Sequence, residues 1–439
     1  MNRLFLLLSA TLLCGLVACS GAGKSNETVK AVAKTDSCKV DSRNTYEVYM
    51  PQRSSADEKL PLLVIIDAHG NGKFAIDKFK QGANLYPTLL VASNFVKNDF
   101  EGYVGAIQTL VDDVRQKYPV GNTIFMTGFS GGARMVLGYA LTHQVNGLIL
   151  CGALANSDQI NALHCPIISI SGMDDFNFME TAQYLFQEQR TPANLKIELT
   201  NASHGWPDSL MLTNELGFLR LSCQAEDIPS LPKLQLKRYC QNQQLRIDSL
   251  QQNGNFLKAE LVASNMATTE PFNDDKTFTT SYNELKSNQG YTSQLTRLEK
   301  YLQFEISVRQ PYLNAFQSKD TLWWKNEIKT LAEKINTEQD SYAKDTYRRI
   351  QGFLGIACYS FCKQAIGEQN AEALNKILSI YRMLEPENPD MFYFSAFPYL
   401  WKGENEATLA MLQKAINAGY TDRNQLNKDF PESITVRIR

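Results

Sequence analysis

The sequence predicts an α/β fold, a mostly parallel sheet flanked by helices, followed by an all-helical domain. Its 439 residues exceed the ~100 to 200 residues of one domain, so at least two are expected. From residue 45 to about 222, short apolar runs alternate with longer amphipathic stretches, the pattern of strands joined by crossover helices. After "QAEDIPSLPKLQ" β-branched runs become scarce. Stretches rich in Leu, Lys, Gln and Glu take over, which places the helical domain at residues 223–439.

The chain opens on "MNRLFLLLSATLLCGLVACS": one positive charge at Arg3, an apolar run over residues 4–13, then small residues ending at Cys19. This is the layout of a secretory signal, and the run is shorter than the ~20 apolar residues a spanning helix needs. No later segment reads as a spanning helix either. Leu16, Val17, Ala18 and Cys19 resemble the bacterial lipobox, which implies that residues 1–18 are removed and that Cys19 carries a lipid. The same resemblance implies a bacterial cell-envelope protein held on a lipid membrane, periplasmic or surface-exposed. Residues 19–44 read as a flexible tether, with too little apolar content to fold.

Strands are expected at 45–50, 61–67, 88–93, 123–128, 147–152, 166–171 and 195–200, their continuous apolar character marking them as buried. Residues 101–118 and 181–190 show helical spacing. In the second half, residues 383–422 resemble a tetratricopeptide repeat, with Ala396, Tyr399, Gly403, Leu412 and Ala415 at its small, aromatic and turn positions. Ala373 and Leu378 precede Ala407 and Leu412 by one repeat period of ~34 residues. Two repeat-like hairpins at about 350–420 are therefore expected, with a protein or peptide as the class of partner such helices could take. Residues 235–349 read as helical without a phased repeat.

Charge is nearly balanced, 44 basic against 46 acidic residues, and the basic residues are dispersed without interleaved aromatics, so no nucleic-acid partner is expected. Setting aside Cys14 and Cys19 leaves seven of nine cysteines, an odd number, so at least one stays free. Cys223 and Cys240 flank the domain junction and could bridge it, while Cys358 and Cys362 sit one helical turn apart. There is no Cys-x-x-Cys pair and the four histidines are scattered, so no metal and no cofactor is expected.

The chemistry is concentrated at "MTGFSGGARM", residues 126–135. A buried strand delivers Ser130 into a turn and a helical pattern follows, with Gly128, Gly131, Gly132 and Ala133 as the small neighbours that a strained strand-to-helix turn demands. Serine needs a histidine as base and a carboxylate to orient it. Of the downstream histidines, His143 and His164 fall at the wrong end of the sheet, which leaves His204 in "NASHGWPD" after the strand 195–200. The acid comes from "ISGMDDFNF", where Asp174 and Asp175 compete. Successive residues leaving a strand point to opposite sides, so one faces His204 while its neighbour turns to solvent or caps the next helix.

The order Ser, acid, His, together with the His-Gly-Trp-Pro stretch, resembles the α/β-hydrolase superfamily, in particular its dienelactone hydrolase, feruloyl esterase and polyhydroxyalkanoate depolymerase members. The resemblance spans residues 45–222. Counting three residues from Gly172, as the family pattern does, assigns the acid to Asp175. It also implies an oxyanion hole made by the Gly131 amide and a second amide from "IIDAHGNGK", at Gly70, Asn71 or Gly72. His69 and Asp67 read as residues that shape this loop. Residues 152–165 are too few for an inserted cap domain, so the site is either open or roofed by the helical half. These implications converge on a carboxylic ester hydrolase, with an ester that could be polymeric as its substrate. A serine peptidase on short peptides and a non-catalytic envelope binding protein remain as alternatives.

Overall fold

The computed structural model describes residues 29–186, 192, 194–223 and 225–438. The elements of the first half run β1 (Val32–Ser37), β2 (Thr45–Met50), β3 (Leu60–Ile66), α1 (Gly72–Leu85), β4 (Leu89–Ser93), α2 (Tyr103–Lys117) and β5 (Val120–Phe129). They continue with α3 (Gly131–Ala140), β6 (Gly147–Cys151), α4 (Ser157–Asn161), β7 (Ile167–Gly172), α5 (Phe178–Leu185), β8 (Leu195–Thr200) and α6 (Ser209–Ser222). The strands form one eight-stranded sheet in the order β1-β2-β4-β3-β5-β6-β7-β8. β2 pairs antiparallel with β1 and β4, and every pairing from β4 to β8 is parallel.

Every expected strand is present, the fourth extended back to Val120. Their apolar runs are continuous because both faces are covered: Leu62, Val64 and Ile66 of β3 point into one core layer, Leu63 and Ile65 into the other. The helix expected at 181–190 is α5, which starts earlier at Phe178; residues 187–190 lie outside the described residues.

The tether expected at 19–44 needs correction. Residues 19–28 lie outside the described residues, but Val32–Ser37 is an edge strand paired residue for residue with β2, and Cys38 beyond it is buried. Its side chains are mostly exposed, so it carries no apolar signature. Polar contacts fix it instead. Asp36 accepts from the Tyr118 hydroxyl at 2.6 Å and pairs with Lys34 and Lys117, while Lys117 Nζ also donates to the Ser37 carbonyl at 2.6 Å. Burial alone would raise the Asp36 carboxyl, but the hydrogen bonds from Tyr118, the Ser37 amide and the two lysines outweigh it and hold it well below the usual carboxylate range.

The second half is helical in its described residues: α7 (Lys233–Gln252), α8 (Phe256–Ala267), α9 (Lys276–Lys286), α10 (Gln289–Ser318), α11 (Thr321–Thr337), α12 (Ser341–Gly367) and α13 (Ala371–Leu384). It ends with α14 (Pro389–Ser395), α15 (Phe397–Trp401), α16 (Asn405–Asn417), α17 (Arg423–Asp429) and α18 (Glu432–Thr435). α12 packs against α13 and α14 against α16; α13 and α16 begin at Ala371 and Asn405, in the 34-residue register read from the sequence.

The cores do not divide where the sequence changes character. Tyr239, Ile247, Val262 and Phe278 join one layer of the sheet domain, and Leu257, Tyr291, Leu298 and Leu302 join the other. The reason is the free edge of β8. α8 covers it, and Asn265 Nδ2 donates to the Ile197 carbonyl at 3.1 Å, supplying a partner that no further strand provides. A separate core gathers residues from Ala315 to Ile434. α10, 30 residues long, spans from the sheet-side core to this second one. The described cysteines are all free; Cys223 and Cys240 are not bridged, and burial pushes the Cys240 thiol up to about 11. Among the described residues no helix is long and apolar enough to cross a membrane.

Candidate active site

Ser130 sits at the junction of β5 and α3 with φ 54°, a left-handed conformation that a non-glycine residue adopts at a cost. The turn closes because its neighbours lack side chains. A Cβ on Gly128 would collide with the backbone of Gly132, and one on Gly132 with the Ile66 carbonyl. Ser130 N donates to the Cys151 carbonyl at 2.8 Å, which pins the turn to β6.

His204 follows β8 and Asp175 follows β7, both leaving the sheet at the carboxyl end where Ser130 lies. Ser130 Oγ is 3.0 Å from His204 Nε2, and His204 Nδ1 is 2.9 Å from each carboxylate oxygen of Asp175. Asp175 is 1% exposed, and Oδ1 also accepts from the Asn177 amide at 2.8 Å. The imidazole is gripped between two aromatic rings, Phe176 at 4.1 Å and Phe129 at 4.7 Å between centroids. Both rings are tilted against it, and its side chain keeps 20% of its surface exposed.

The neighbour Asp174 does not turn to solvent and does not cap α5. Its carboxylate faces the helical half, 3.5 Å from Arg348, with Oδ1 buried and unpartnered among the described residues. Burial raises its carboxyl above the ordinary value. The sequence expectation failed because the helical half covers the direction that would otherwise be open.

The loop after β3 is ordered by Asp67. Oδ1 accepts from the amides of His69 and Asn71 at 2.9 and 3.2 Å, and the Asp67 carbonyl accepts from the Gly70 amide at 3.1 Å. Oδ2 accepts from the Trp206 indole at 2.7 Å, tying this loop to the one carrying His204. The amides of Gly70 and Asn71, expected as oxyanion donors, are thus already engaged. Gly72 packs against the end of β4, away from the serine turn. The Ala68 amide has no partner among the described residues and lies 3.4 Å from where a Cβ on Gly132 would sit. Cys19 lies outside the described residues.

Of the two arrangements left open, an exposed site or one roofed by the helical half, the second is seen. Arg349 and Arg309 donate to the carbonyls of Met173 and Phe176 beside Asp175. On the other side of the site Lys97 pairs with Asp422 at 2.7 Å and Asp99 with Lys363 at 2.8 Å. Phe176, Arg309, Arg349 and Glu305 were not singled out from sequence. Arg309 and Arg349 lie 133 and 176 residues from the carbonyls they bond and Glu305 reaches the loop only through them, and within a helix their charges read as an ordinary polar face.

No protein-family profile matches the chain, and no curated protein matches it in sequence. Solved structures do resemble part of it. The fluorophosphonate-binding serine hydrolase F of Staphylococcus aureus is 11% identical with a TM-score of 0.37, covering 44% of this chain and 99% of its own. The S-formylglutathione hydrolase of Staphylococcus aureus is 13% identical with a TM-score of 0.37, covering 47% of this chain and 100% of its own. Est1E of Butyrivibrio proteoclasticus is 16% identical with a TM-score of 0.34, covering 42% of this chain and 95% of its own. The fold is the α/β-hydrolase fold expected from the sequence, and it rests on the sheet order and the serine turn described above.

Proposed function

We propose that this protein is a secreted, lipid-anchored serine hydrolase that cleaves a carboxylic ester through an acyl-enzyme on Ser130. The observation that carries the reading is the hydrogen-bonded chain from Ser130 Oγ through His204 to the buried Asp175. As His204 Nε2 takes the serine proton, Oγ attacks the ester carbonyl carbon. Asp175, bonded to Nδ1, stabilises the imidazolium that forms. The negative charge on the carbonyl oxygen meets the amides of Gly131 and, in place of Gly70, Asn71 and Gly72, Ala68. Collapse expels the alcohol, which takes the proton from His204, and water attacks the acyl group by the same relay to restore Ser130. Esters are favoured over amides because no propeller or inserted cap accompanies the core among the described residues. Turnover of a panel of p-nitrophenyl esters by the folded wild type tests this; a folded protein that cleaves none of them supports a binding role instead.

The anchor is carried by the sequence of residues 16–19. We expect the wild type in the membrane fraction, with several acyl chains on one residue holding more firmly than a single chain would. Cys19→Ala should leave the protein soluble or unprocessed, and mass spectrometry of the mature N-terminus reads the modification directly. An unmodified N-terminus removes the lipoprotein assignment. The helix pairs of the C-terminal region are proposed to be tetratricopeptide-like on the strength of their 34-residue register.

A further inference from the structure

We propose that Arg349, Glu305 and Arg309 are positioning residues for hydrolysis: the helical half holds the loop that carries Asp175 and thereby sets the contact between Asp175 and His204. This rests on the reading of Ser130, His204 and Asp175 as the hydrolytic triad.

The loop between β7 and α5 is short: Asp175 N to the Gly172 carbonyl at 3.2 Å and Phe178 N to the Asp175 carbonyl at 2.8 Å close it on itself, and Met173 N to the Thr200 carbonyl at 3.0 Å and Asn177 Nδ2 to the Gly152 carbonyl at 2.8 Å tie it to the ends of neighbouring strands, which leaves the carbonyls of Met173 and Phe176 to groups from the helical half. Those two carbonyls are held from the helical half. Arg349, fully buried on α12, donates to the Met173 carbonyl, to Thr346 Oγ1 at 2.7 Å and to Glu305 Oε2 at 2.7 Å, with its guanidinium 4.9 Å over the Phe178 ring. Arg309 on α10 donates to the Phe176 carbonyl at 3.0 Å and to Glu305 Oε1 at 2.6 Å. Glu305, fully buried, therefore binds both arginines, and the two arginines hold the carbonyls of Met173 and Phe176, which bracket Asp175.

A second route runs through Phe176. One side of its ring lies against His204, and Cδ1 sits 3.2 Å from where a Cβ on Gly352 of α12 would be. Any larger residue at 352 would push on the ring that touches the base. Burying an ion pair is a poor way to gain stability, since removing two charges from water opposes their attraction. A fully buried Arg349–Glu305 pair, joined by the partly exposed Arg309 and aimed at two carbonyls of one catalytic loop, is better explained by the placement it enforces.

The test compares wild type with the double variant Arg349→Met/Glu305→Met, which replaces the buried pair by apolar side chains, and with Arg309→Gln and Arg309→Lys. Three quantities are read: thermal unfolding, the rate of fluorophosphonate labelling, and kcat and KM on an activated ester. Misplacing a catalytic group by about 1 Å costs on the order of 100-fold. In the double variant and in Arg309→Gln, labelling and kcat should fall about 10- to 100-fold with KM within about twofold, and Arg309→Lys, which keeps a donor, should restore most of the loss. A purely structural cluster would lower the unfolding temperature and leave the folded protein's labelling rate and kcat at wild-type values; that result overturns the proposal. If the double variant does not fold, the Arg309 pair decides by the same readouts. A wild type that does not label at all defeats the hydrolase reading itself, independently of the variants.

Discussion

Ser130→Ala should lower ester turnover by a factor on the order of 10⁶, the size of effect seen when the nucleophile of a serine hydrolase is removed. The Cys151 and Cys165 thiols lie on or beside β6 and β7, and burial pushes both up, Cys165 to about 11, so they stay protonated at neutral pH. The alanine variant should remain folded because position 130 keeps its φ of 54° and its backbone bond to Cys151. Steady-state hydrolysis beside thermal unfolding checks this, and turnover near the wild-type rate in a folded Ser130→Ala protein would remove the acyl-enzyme route.

The second large effect separates two adjacent carboxylates. Asp175→Asn places an amide opposite His204 Nδ1, which favours the imidazole tautomer unable to accept the serine proton, and costs about 10⁴ in turnover in the serine protease case. Asp174→Asn should keep most of the activity. That side chain faces Arg348 and has no contact with His204, so the change removes a buried charge without touching the relay. Both variants are measured at neutral pH on the same ester. A dead Asp174→Asn beside an active Asp175→Asn would transfer the orienting role and contradict the geometry.

The parts of the fold legible in the sequence are those built from local signals. Buried parallel strands print their apolar runs directly, which is why β3 and β5 to β8 fall where the pattern puts them. The serine turn is legible because its glycines are required sterically, and the order of Ser130, Asp175 and His204 follows from which strand ends they leave. β1 was not legible: its side chains are exposed and the salt links from Asp36 to Lys34 and Lys117 have no periodicity. The engagement of the Gly70 and Asn71 amides by Asp67 was not legible, because it is made by a turn carbonyl and a side chain whose direction no local pattern gives. The orientation of Asp174 and the shared cores of the two halves depend on contacts between residues far apart in sequence, Arg348 with Asp174 across 174 positions and Asn265 with Ile197 across 68, which no local pattern records.

The central claim is that Ser130 is an activated nucleophile. Its most direct test is incubation of the purified wild type with a fluorophosphonate, followed by proteolysis and mass spectrometry of the labelled peptide. The account predicts one adduct per chain, on Ser130 within the peptide containing "GFSGGAR", and none after prior unfolding, which breaks the contact with His204. A folded wild type that carries no adduct, or carries it on another residue, would contradict the account.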